Sequence, residues 1–177
     1  MPGGKIHDAI TIILAPIAGA GCYLFTRNPV TTIIFTGAFL LGALMFGPDL
    51  DTDSRQFARW WIFRPIWLPY KLFFSHRSRW THGLLFGSLL RVVYFVGLIT
   101  LGSFAVLVLA SSYAGATMPS AASFEDVWQH AGNWIRVSAG QANLAAAFVG
   151  LWGGAASHTL TDLAGTYINT GRVGKTL

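Results

Sequence analysis

Charge is scarce in this sequence. Only 11% of its 177 residues are Asp, Glu, Lys or Arg, against 53% apolar residues, and the mean hydropathy is +0.52. Soluble domains carry roughly a quarter charged residues, so water is excluded as the main solvent and a bilayer is expected. Cysteine is nearly absent. Cys22 stands alone, which excludes an intrachain disulfide, and it reads as a small apolar packing residue. Gly21-Cys22 has a faint likeness to a lipoprotein processing site. However, Gly19 stands where a large aliphatic residue is required and Asp8 interrupts the basic stretch of a signal peptide, so the N-terminus is expected to be retained. No serine or cysteine nucleophile constellation is present.

What the chain does have is long apolar runs, at about 10–25, 30–46, 83–110 and 141–164. Each approaches or exceeds the roughly 20 residues needed to cross the hydrocarbon core. The chain is therefore expected to be a single all-α, multi-pass membrane domain of about four transmembrane helices. Arg27-Asn28-Pro29 makes the first two a tight hairpin, Pro16 is expected to kink the first, and the small residues of the fourth suit close packing inside the bundle.

Four crossings put the N-terminus, 47–82 and the C-terminus on one side. That side holds nine basic residues (Lys5, Arg55, Arg59, Arg64, Lys71, Arg77, Arg79, Arg172, Lys175) against Arg27 and Arg136 on the other, so both termini are expected in the cytoplasm. The expected location is a plasma, inner or thylakoid-type membrane. Segment 55–75 interleaves aromatics with Arg59, Arg64 and Lys71, a composition that favours the headgroup layer of the lipid bilayer over nucleic acid. On the far side, 123–137 reads as an amphipathic helix opened by a capping box at Ser123-Phe124-Glu125-Asp126. Arg91 is expected to snorkel or to pair structurally.

The same topology gathers His and Asp residues at the cytoplasmic helix ends. Four of the five histidines and five of the seven acids fall in patches around His7-Asp8, Asp49-x-Asp51, His76…His82 and His158-x-x-x-Asp162. Imidazole with carboxylate is a transition-metal ligand set. His158 and Asp162, at i and i+4, share a helix face. Pro48 disfavours a helical Gly47, which suggests an extended turn that aligns Asp49 with Asp51. Asp8 either ligates or orients His7 from outside. Asp53 is expected to be solvated or paired with Arg55, and a calcium loop is rejected because Ser54 and Trp60 replace its turn glycine and closing glutamate.

Together, Gly4-Lys5-x-His7-Asp8, Gly47-Pro48-Asp49-Leu50-Asp51, His76-Arg77-Ser78-x-x-Thr81-His82-Gly83 and Ser157-His158-x-x-x-Asp162 resemble the prokaryotic family of membrane-bound metal-dependent hydrolases. Within it, the chain looks most similar to small uncharacterised metal-binding membrane proteins of cyanobacteria and archaea. Through a wider relationship to helical zinc-dependent phospholipase C and P1-type nucleases, the resemblance implies phosphoester hydrolysis, with a lipid phosphoester as one substrate. His7, Asp8, Asp49, Asp51, His76, His82, His158 and Asp162 are the candidate metal ligands, for one or two zinc ions or for Mg or Mn. Asp51 is the candidate base, and Arg77 or Arg79 the candidate phosphate-binding residue. The competing expectation is a non-enzymatic accessory or assembly subunit whose metal staples helix ends and whose aromatic segment binds a membrane-protein partner. Transport is the weakest reading, because no ionisable ligand lies near the centre of a crossing.

Overall fold

A computed structural model describes residues 3–74, 81, 83, 84 and 86–171, with the side chains of 169 and 170 left aside. The described residues contain helices and turns and no strand. The first helix, α1 (Gly4–Thr26), ends where Arg27 takes a left-handed conformation. Asn28 then caps α2 (Pro29–Leu44) by accepting from the amides of Val30 and Thr31, with Pro29 preset at the first helical position.

After α2 the chain makes a 3-10 turn, Pro48–Asp51, and enters the aromatic segment. That segment is α3 (Arg55–Arg59), a 3-10 stretch Trp61–Trp67 and α4 (Leu68–Phe73). Three long helices complete the chain: α5 (Phe86–Tyr113), α6 (Ala121–Ala139) and α7 (Gln141–Thr170). The cap of α6 is Ser120, which accepts from the Ser123 amide, so the helix starts before the expected capping box. Pro119 just upstream cannot extend the helix backwards with a hydrogen-bonding amide, which sets the start at Ser120.

Three helical spans are long and apolar enough to cross a membrane: Gly4–Thr26, Pro29–Asp51 and Phe86–Tyr113. The expected fourth, α7, is not among them. Its many Gly, Ala, Ser, Thr, His and Asp residues make it less apolar than the other three spans. The extensive contact it makes is with α2, and the two run parallel. Thr31 donates to Asn143 near their starts (2.7 Å), and Gly150 and Gly154 lie against the Phe35 and Phe39 carbonyls further along. A Cβ at Gly150, Gly154 or Gly42 would strike backbone, so the seam depends on their missing side chains.

The aromatic segment folds half inward. Trp67 and Tyr70 are fully buried and pack with Phe46, Trp60 and Phe95, Trp67 stacking on Phe95 and meeting Phe46 edge-on. Such pairs contribute about 0.5–1.5 kcal/mol each beyond burial. Trp61, Ile62, Phe63, Leu68, Leu72 and Phe73 face outward from the same segment. Hydrogen bonds tie this block to the bundle: Trp60 Nε1 donates to the Met45 carbonyl, Tyr94 Oη to Ile66, and Trp152 Nε1 to Leu84.

Candidate metal centre

His7 lies in the second turn of α1, and His158 and Asp162 lie late in α7. The parallel seam of α2 and α7 carries His158 to the end of α2, beside the Pro48–Asp51 turn. Nε2 of His7 is 3.1 Å from Oδ1 of Asp162, and the His7 and His158 rings stack with centroids 3.9 Å apart and planes 15° off parallel. Nε2 of His158 is 3.2 Å from Oδ2 of Asp49 and 3.8 Å from Oδ2 of Asp162. Two patches from opposite ends of the sequence thus meet a third from its middle.

His7, His158 and Asp162 each offer one ligand atom within 4.8 Å of the others, and both histidines are buried. Nδ1 of His7 and Nε2 of His158 are buried without a hydrogen-bond partner, despite the nearby carboxylates. Unpaired buried polar atoms cost about 1–3 kcal/mol each, and a cation between His158 Nε2 and the Asp162 carboxylate would relieve that cost at His158; His7 faces the same carboxylate through Nε2, not through its unpartnered Nδ1. The donor set fits a divalent transition metal. Ligands at about 2.1 Å from a tetrahedral ion stand roughly 3.4 Å apart. The His7–Asp162 pair already has that spacing, and the widest pair needs a small side-chain closure.

The remaining expected ligands divide. Asp49 reaches His158 and is a quarter exposed. Asp51 is buried, in a turn that is 3-10 and not extended. At about 120° per residue, positions i and i+2 of such a turn diverge, and the charge of Asp51 acts on Tyr70 and Arg91. Asp8 pairs with two cations of α3. Its Oδ2 lies 2.7 Å from both Arg55 and Arg59, because its neighbour His7 points inward and adjacent helical residues lie about 100° apart. Asp53 pairs with Lys71, not Arg55, at 2.7 Å. His76, Arg77, Arg79 and His82 lie outside the described residues.

Two residues that sequence reasoning did not place at the centre surround it. Gln56 is buried and bonds to Ala43, Asp49 and His158 at once. Arg91 does not snorkel. It is 2% exposed, with Nη1 donating to the Thr81 carbonyl (2.8 Å) and Nη2 to Ser88 Oγ (3.1 Å), and the charges of Asp51 and Asp49 act on it from the turn. Burial pushes the Tyr70 hydroxyl's pKa up, and the Arg91 charge opposes that shift. The acidic turn therefore rests on a buried cation.

The pattern model of the uncharacterized metal-binding protein family DUF2227 matches residues 2–172. The chain belongs to that family. The match covers nearly the whole chain and agrees with the His/Asp cluster, while naming neither the metal nor a reaction. No curated protein and no solved structure matches the chain.

Proposed function

We propose that this DUF2227 member is an integral-membrane, metal-dependent phosphoester hydrolase whose centre faces the cytoplasm. The observation that carries the reading is the convergence of His7, His158 and Asp162, with the Nε2 of His158 buried and unpartnered, beside a partly exposed Asp49. Two imidazoles favour zinc over Mg or Mn. A divalent ion held there supplies Lewis acidity toward water and a phosphoryl oxygen. His7, His158 and Asp162 would hold it. Asp49, the more accessible carboxylate of the turn, would take the proton of the attacking water, while buried Asp51 would secure the turn against Arg91. The substrate is drawn from the bilayer, whose headgroups the outward aromatics of 61–73 would meet.

The membrane arrangement has four crossings. Packed parallel to α2, α7 extends about 45 Å at 1.5 Å per residue, so it crosses with its partner and returns the chain to the side of His7 and Asp49. In a Cys22→Ser background in intact cells, an impermeant thiol reagent is expected to label Ser120→Cys and to spare Asp53→Cys. Labelling of position 53 alone would overturn the orientation.

Activity is tested with zinc-loaded protein in nanodiscs, given phosphatidic acid, p-nitrophenyl phosphate and bis(p-nitrophenyl) phosphate. Turnover is expected on at least one, falling by ~100-fold or more in Asp49→Asn while bound zinc is kept. The burial of His7 and His158 favours a second reading, a metal that only fastens α1 to α7. A fully loaded protein inert toward all three substrates would establish that reading in place of the hydrolase.

A further inference from the structure

Two backbone groups of fixed polarity hold the Gln56 carboxamide in one orientation. Its nitrogen lies 2.7 Å from the Ala43 carbonyl, which can only accept, and its oxygen 3.1 Å from the Asp49 amide, which can only donate. Turned over, the group would set oxygen against oxygen and N–H against N–H. The same nitrogen lies 3.1 Å from Nδ1 of His158. A primary amide nitrogen has two hydrogens and does not accept. With one hydrogen on Ala43, the other is left for His158, and Nδ1 must be the acceptor.

A neutral imidazole that accepts at Nδ1 carries its proton on Nε2. Nε2 makes no hydrogen bond, but its nearest polar neighbours are the carboxylate oxygens of Asp49 and Asp162 at 3.2 and 3.8 Å, so a proton on that edge meets acceptors and no competing donor among them. Gln56 is 4% exposed, leaving little water to substitute for it. Gly47 keeps the space open, since a Cβ there would run into the Gln56 amide.

We propose that Gln56 is a positioning residue that sets the tautomer of His158, holding its proton on Nε2 in the metal-free protein. Loading an ion through Nε2 then requires the proton to sit on Nδ1 and the contact with Gln56 to be remade. That second step rests on the reading of His158 as a ligand; the first does not. Gln56 also joins the end of α2, the Asp49 turn and α7, so an effect on folding alone would not identify its role. The tautomer does.

The experiment is nitrogen NMR of histidine-labelled, metal-free protein in detergent micelles, with His158 assigned by difference from His158→Ala. The parent is expected to show an unprotonated Nδ1 and a protonated Nε2. Gln56→Met, which keeps length but neither donates nor accepts, is expected to lose that preference. Gln56→Glu, whose carboxylate accepts, is expected to draw the proton to Nδ1. A parent protonated at Nδ1, or an unchanged His158 pattern in both variants, would overturn the proposal. If the variants fail to fold, the parent spectrum still decides. Adding zinc to the parent separates the two readings. Unmoved His158 resonances would remove it from the metal centre and leave the tautomer assignment standing.

Discussion

His158→Ala protein purified from zinc-supplemented cells is expected to bind the metal at least ~100-fold more weakly than the parent, since loss of even an outer partner of a ligand costs 10–100-fold. Stability is expected to fall with it. An ion at 1,000 times its dissociation constant stabilises the fold by roughly 4 kcal/mol, and this one would join α1 to α7. Zinc content by mass spectrometry and thermal unfolding with and without chelator read the two effects. His130→Ala is the control: His130 is exposed on α6, with Nδ1 2.7 Å from the Asp126 carbonyl. Zinc content equal to the parent's would remove His158 from the site, and a chelator-insensitive parent would show that the metal does not hold the helices.

The largest loss of stability is expected from Arg91→Ala, at about 3–5 kcal/mol. The reason is not the hydrogen bonds to Thr81 and Ser88 alone. Removing one member of a buried charged group leaves the opposite charge in a poor solvent, and here buried Asp51 would lose the nearby cation. Arg91→Lys restores charge without the planar fork and is expected to recover part of the loss. Denaturant titration in micelles gives the comparison. A cost below about 1 kcal/mol for Arg91→Ala would mean that Asp51 does not depend on this cation.

How far the sequence revealed these features depended on the kind of interaction involved. The hairpin at Arg27-Asn28-Pro29 was legible because turn, cap and proline all act locally. The pairing of His158 with Asp162 was legible from helical spacing, and the family resemblance ordered the motifs. The partner of that pair was not deducible from spacing, because His7 meets Asp162 only through the packing of α1 and α7. Likewise Asp49-x-Asp51 did not disclose that Asp49 reaches His158, since extended and 3-10 turns send the two carboxylates in different directions. Gln56 gave no signal at all. A glutamine between Arg55 and Phe57 has no metal chemistry of its own, and its role comes from two backbone groups in other elements. For Arg91 the sequence left snorkelling and structural pairing open, and only the packing decides for pairing, because Thr81, Ser88 and Tyr70 close over it.

The meeting of His7 with Asp162 also sets an order of events during synthesis. Ribosomes release chain at roughly 5–20 residues per second, so His7 emerges on the order of ten seconds or more before Asp162 exists. In that interval α1 and α2 can insert as a hairpin, but the centre has only one of its imidazoles. On the proposed reading of the centre, metal capture therefore waits until α7 has been translated and seated. A chain truncated before α7 would lack both His158 and Asp162 and is expected to hold no metal at His7.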